Sequence, residues 1–408
     1  MAKTSNSRRS WHVRANALVF GYAALGLIAL LIPIDFHHKR WLVVHLFLLG
    51  SVTNCIVTWT EHFAVTLLRV PEPSRKGSAW RLITLNASVL VCLFGVSIDL
   101  NALVILGTSC LAAVMIAHSY SLSRLSKRAL QNRFAGTVHF YLAGAACLIL
   151  GIVLGAASVF QNDGSLLRDS LHAGHLHANL FGWVGVTVMG TLFTFWPTVL
   201  RTKMVDAVMV EAKRALPFLL VGVFVAAIAL TMNQRFVAAA GMGIYLIGVL
   251  FAARPFSRTW RQKKPHDLPS FAIAFACIWF VLGALADFFA NIVFGQLSNY
   301  VQWLDHLIPV FLVGFAAQLL LGALSFLVPV ILGGGPAAVR GHIERLSLGW
   351  QIRIFAFNLS ALLIALRGAL AQVGYGLFIV SLGIFIGLVL YTVLGQGRES
   401  KNLGPVLS

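Results

Sequence analysis

Hydrocarbon-length apolar segments dominate this sequence. A helix crossing the roughly 30 Å apolar core of a bilayer needs about 20 mostly apolar residues, because each residue rises about 1.5 Å. Twelve segments of the 408-residue chain meet that condition, near 15–34, 41–68, 80–98, 101–120, 134–160, 173–200, 215–232, 236–253, 270–292, 303–332, 350–367 and 371–395. Lipid offers no partner to backbone N–H and C=O groups, so such segments must be helical. The expected fold is an all-α polytopic membrane protein, a single integral membrane domain over 1–408 with about twelve transmembrane helices. The connections are too short for a folded soluble domain, and only 11% of residues are charged against about 25% in soluble domains.

The charge is sorted along the chain. The sequence has 31 Lys and Arg against 13 Asp and Glu, a formal charge of +18. The N-terminus, the even-numbered connections and the C-terminus carry 26 of the basic residues; the odd-numbered connections carry only Lys39, Arg40, Arg168, Arg235 and Arg367. Cytoplasmic loops retain basic residues during insertion, so both termini are expected in the cytoplasm of a bacterial-type plasma membrane. The basic faces then meet acidic lipid headgroups. No basic, aromatic-interleaved soluble module exists, which argues against nucleic acid as a partner. The N-terminal apolar run is too long for a signal peptide and is expected to remain as an anchor. Five cysteines lie inside the apolar segments without a C-x-x-C pattern; this excludes a disulfide framework, a zinc ribbon and covalent c-type haem.

Histidine is the unusual residue. There are 13, as many as all the acids together. His45 opens span 2, His175 and His177 open span 6, and His306 opens span 10, which predicts a threefold internal repeat of four-helix units. Gly follows His by five residues in His45–Gly50, His139–Gly144 and His177–Gly182, and spans 6 and 10 end alike in Gly190–Pro197 and Gly322–Pro329. Such a glycine either leaves room for a flat macrocycle beside a ligand or marks close helix packing. Residues two apart on a helix point about 200° apart, so His175 and His177 serve two different sites. Neutral imidazole suits haem iron and copper, with a second group fixing its tautomer. Asp305 and Asn179 are the candidates for that role, and His172 is a further candidate copper ligand. An inner group, His62, His118 and His139, offers a second metal site about 25 Å from His45. His12, His37, His38, His266 and His342 fall in polar flanks and are expected to be solvated. Intramembrane acids are costly and usually functional; Asp287 is expected to pair with a ligand histidine or with Arg367.

These residues resemble the haem-copper oxidase superfamily in its broad sense, including nitric oxide reductase catalytic subunits. The stretch His175-Leu-His177-Ala-Asn-Leu-Phe-Gly182 through Pro197 is similar to the NnrS family of haem- and copper-containing membrane proteins, and to the membrane part of actinobacterial copper oxidases. The resemblance implies a subunit I-like bundle, with His45, His175, His177 and His306 holding haem b and copper. It also implies oxidoreductase chemistry or a response to NO, O2 or copper at the outer face, with a redox partner. The sequence departs from the oxidase pattern in span 7, which has no histidine, and from the NnrS pattern at Ala178, where that family has Glu. Two other functions are compatible with the chain: a transmembrane di-haem electron conduit, and a haem-free secondary transporter or metal carrier.

Overall fold

The computed structural model describes residues 2–33, 38–129 and 134–402. Among these residues there are helices and no strands. The helices are α1 (Ala2–Leu31), α2 (Lys39–Leu68), α3 (Arg75–Ser97), α4 (Asn101–Arg128), α5 (Ala135–Val159), α6 (Leu166–Val199) and α7 (Val208–Thr231). They continue as α8 (Arg235–Gln262), α9 (Leu268–Val293), α10 (Leu297–Leu332), α11 (Gly335–Leu346), α12 (Trp350–Leu366) and α13 (Gly368–Asn402). Eleven are long and apolar enough to cross a membrane, and α11 and α12, bent by 45° at their junction, together make the twelfth span. The chain is thus an all-α multi-pass membrane protein of about twelve spans. Only α11 was not expected from the sequence. Three glycines with positive φ, Gly333, Gly334 and Gly335, break α10 from it, and Pro336 starts it. Its His342 is 1% exposed, so the expectation of a solvated side chain fails there.

Three helices occupy the centre. In α2, α6 and α10, 61%, 83% and 72% of the most apolar stretch is buried, against 33% to 56% in the other long spans. The outer helices carry lipid-facing residues such as Leu90, Phe94, Ile105 and Ile116, all more than half exposed. Apolar side chains in that position meet acyl chains, not water.

Each central helix contains a π-helical stretch: Leu46–Val52, Ala178–Val186 and Phe311–Ala317. Long π-helical runs are rare and widen the helix locally. Each is packed by the first helix of its four-helix unit: α1 on α2, α5 on α6, α9 on α10. At the contacts, Gly50 lies against Tyr22, Gly182 against Cys147 and Gly314 against Trp279. Nineteen residues after each glycine, at Arg69, Arg201 and Gly333, the helix ends in a positive-φ residue (φ 55°, 51° and 61°). The remaining helices form the tight pairs α3–α4, α7–α8 and α12–α13. The fold is therefore a threefold repeat of four-helix units. The glycine spacing serves close helix packing; Gly50 and Gly182 are filled by neighbouring side chains, which leaves no macrocycle slot beside them.

The α7–α8 pair tests the packing argument. A Cβ at Gly241 would press on the backbone of Ala226 and Gly222, whereas one at Gly376 of α13 meets nothing within 4 Å. Gly241→Val is expected to destabilise the protein by about 1–3 kcal/mol, and Gly376→Ala to leave stability unchanged, as read by thermal unfolding in detergent.

Candidate functional site

We call the face with few basic residues the outer face. There α2, α6 and α10 bring a set of polar side chains together. His45 of α2 is half-buried, lies parallel to Trp41 at 4.2 Å between ring centres, and places Nδ1 2.8 Å from the Trp41 carbonyl. His175 of α6 is also half-buried and places Nδ1 2.8 Å from the Gly151 carbonyl of α5. A carbonyl accepts only, so both rings donate through Nδ1 and keep the lone pair on Nε2. The two ring centres are 6.1 Å apart with 28° between their planes. Two imidazoles from different repeat units therefore stand close together, each with its tautomer fixed by a backbone carbonyl. Metal-ligating histidines are commonly held in this way.

The surroundings build this pair. Gly151 and Gly155, one turn apart on α5, seat α6: a Cβ at Gly155 would strike the His175 ring, and one at Gly151 the Asn179 amide. Asn179 donates to the His175 carbonyl at 2.9 Å and lies alongside that ring, so its partner is His175 and not His177. Next to the pair, His172 Nε2 is 3.5 Å from Asp305 Oδ1 of α10, and Arg40 of α2 bonds the Asp305 carbonyl and lies 3.8 Å from its carboxylate. Asp305 thus orients His172 and ties α10 to α2 and α6. No group of three or more His, Cys, Asp or Glu among the described residues is drawn tightly enough to close around a metal ion.

His177 sits in a different network. It is fully buried, with Nδ1 donating to the Ala173 carbonyl at 2.9 Å and Nε2 2.9 Å from Asp287 Oδ2 of α9. Tyr300 of α10 donates to Asp287 Oδ1 at 2.7 Å, and Asn291 donates to Tyr300 at 3.0 Å and to Asp287 at 3.3 Å. All four side chains have zero solvent exposure. Both nitrogens of His177 are engaged, so the ring presents no lone pair to a metal. Of the two partners expected for Asp287, the histidine is found.

The other histidines separate. His306 is exposed on α10, one residue from Asp305. The repeat explains this: His45 and His177 each precede their glycine by five residues, and the corresponding residue before Gly314 is Pro309. The inner group does not assemble either. His118 is buried on α4 with Nε2 3.1 Å from the Thr60 hydroxyl, and His139 is exposed on α5. His62 instead meets His12, edge to face at 4.8 Å between ring centres, with Trp59 parallel to His12 at 5.5 Å. His12 is 6% exposed and not solvated as expected. His12 and His62 border a polar cavity of about 60 Å³ that also takes in Glu61, Glu72 and Arg75. Glu61 is paired with Arg81 and accepts from Ser78 at 2.5 Å. His38 lies 2.9 Å from Asp99 and His266 is exposed; His37 lies outside the described residues.

Sequence reasoning did not single out Tyr300, Asn291 or Trp41. Asn291 follows Asp287 by one turn, the only local signal among the three; Tyr300 and Trp41 are aromatic residues among many.

Removing one member of the His177–Asp287 pair strands its partner in a buried site. Asp287→Leu is expected to destabilise the protein by about 3–5 kcal/mol and Tyr300→Phe by about 1 kcal/mol. His306→Ala is expected to have no measurable effect in the same unfolding assay.

Compared with known proteins, the chain matches no family model and no curated protein.

Proposed function

We propose that the protein binds a redox metal at the outer ends of α2 and α6, copper by its donor set, and handles electrons or copper at that face. The observation that carries this reading is the His45–His175 pair, two imidazoles 6.1 Å apart, each anchored through Nδ1 to a backbone carbonyl. Imidazole nitrogen suits copper, which binds more tightly than other first-row divalent ions. His172 faces Asp305, 3.5 Å from its Oδ1, and does not join the pair as a third ligand.

Copper bound there supplies one-electron chemistry. The protein's own contribution is to orient two rings, leave the Nε2 lone pair available and surround them with helix. The charge distribution supports cytoplasmic termini in a bacterial-type plasma membrane, which puts His45 and His175 on the external side. Haem, the other group implied by the resemblance, needs a slot of several hundred cubic ångström next to its ligand. The cavity between α2, α6 and α10 has only about 90 Å³ of room, and no histidine is among the residues that line it. The outer pair therefore suits a single ion better than a macrocycle.

Purified protein loaded with copper and washed is expected to retain about one copper per chain by elemental analysis. His45→Ala and His175→Ala are each expected to lose it, while His139→Ala and His306→Ala retain it. Copper content that does not depend on His45 or His175 rejects the site. A Soret band that disappears in those two variants assigns haem in place of copper.

A further inference from the structure

The buried Asp, Glu, Lys and Arg side chains among the described residues are Glu211, Asp287 and Arg353. Both acids are answered: Glu211 by Arg214 at 3.2 Å and Arg254 at 3.7 Å, and Asp287 by His177 at 2.9 Å. Arg353 of α12, 4% exposed, meets only neutral groups, its Nη1 donating to the carbonyls of Leu346 at 2.7 Å and Leu348 at 3.3 Å. These belong to the last residue of α11 and the turn after it, where a cation is favourable, and they account for one nitrogen. Nε and Nη2 are buried and find no acceptor among the described residues. Those two atoms form the side-on edge of the guanidinium, which takes two oxygens of one oxyanion at once. A charged edge that is both buried and empty is costly.

The turn that holds Arg353 has further features of an anion site. The 17-residue α12 starts there with Gly349 as its N-cap, so no side chain accepts from its first N–H groups. Such groups, with the helix dipole, favour phosphate. A Cβ at Gly349 would meet nothing within 4 Å, and Leu348, Gly349, Gln351 and Ile352 are exposed, so open space borders the turn. The turn lies at the basic face, at the inner end of a membrane span, which is the level of lipid headgroups. Ile352 and Phe355, 75% and 67% exposed, offer the adjoining surface to acyl chains. We infer that the α11–α12 turn is a phosphate-binding site, filled by the headgroup of an anionic phospholipid or by free phosphate. The phosphate oxygens take the Nε–Nη2 edge of Arg353 and the N–H groups that open α12. This site is at the opposite face from the His45–His175 pair and is independent of it.

Purified protein in a neutral detergent is titrated with phosphatidylglycerol and, separately, with inorganic phosphate. Bound lipid is counted by native mass spectrometry, and the unfolding midpoint is followed with each probe. Saturable binding that raises the midpoint is expected. Arg353→Lys keeps the charge but has no fork, and should weaken binding by about tenfold or more. Arg340→Ala, at an exposed basic residue of α11, should leave it unchanged. A midpoint raised through Arg353 by phosphatidylglycerol assigns the lipid as the source; one raised through Arg353 by inorganic phosphate alone assigns the free ion. Binding of neither probe, binding unchanged in Arg353→Lys, or an equal loss in Arg340→Ala overturns the proposal. If Arg353→Lys does not fold by circular dichroism, the wild type decides. Phosphatidylglycerol with a photocrosslinker on its headgroup is then expected to label residues 346–353, and inorganic phosphate to suppress that labelling. Labelling confined to other segments, with no effect of phosphate on the midpoint, overturns the proposal.

Discussion

Backbone hydrogen bonding in a medium without water is the constraint on which everything else depends. It forces each apolar segment into a helix and leaves side chains as the only means of bringing polar chemistry into the membrane. The three central helices relax that constraint in the same place, through π-helical stretches at Leu46–Val52, Ala178–Val186 and Phe311–Ala317. Each widened stretch is closed by a ring or thiol from the first helix of its unit, on Gly50, Gly182 or Gly314. Bundle geometry and the cavity below it both follow from this shared register.

The repeat is symmetric in backbone and asymmetric in chemistry. One position, five residues before the glycine, is His45 in the first unit, His177 in the second and Pro309 in the third. His45 keeps its Nε2 lone pair and stands beside His175. His177 is locked between the Ala173 carbonyl and Asp287, and Pro309 has no donor to offer. The same site in three copies of a fold thus supplies a candidate ligand, a structural clasp and a chemically silent residue. The clasp joins α6, α9 and α10 through fully buried groups, and its His177 is two residues from His175 on α6. Its stability contribution and the position of His175 are therefore linked through one helix.

The two cavities and the histidine pair divide the protein by depth. Polar groups gather at both faces: His45, His172, His175 and Asp305 at the outer one, and His12, His62, Glu61 and Arg81 at the basic one. Between them the axis is lined by apolar and small hydroxyl side chains. No ladder of titratable groups crosses that middle layer along the cavity wall, so the structure gives a di-haem conduit no imidazoles at the axis.

The sequence alone determined the spans, because hydrocarbon thickness sets helix length and apolar runs record it: all twelve segments recur as helices, most with ends shifted by a few residues, α1 starting furthest before its apolar run and α4 and α8 running furthest past theirs. It also pointed to the threefold repeat, through the histidines that open spans 2 and 6 and the like endings of spans 6 and 10, although the His of span 10 proved not to be the equivalent residue. What it left open was the direction of each polar side chain. His175 and His177 are two residues apart and identical in chemistry, yet one faces His45 and the other Asp287. His306 looked equivalent to His45 by its place near a span end, and its offset of eight residues from Gly314 turns it outward. His12, 50 residues from His62 in sequence, joins it only because α1 packs along α2. Helix phase within a span is altered by the π-helical stretches, and contact between spans is a tertiary property; these two effects decided which histidines meet.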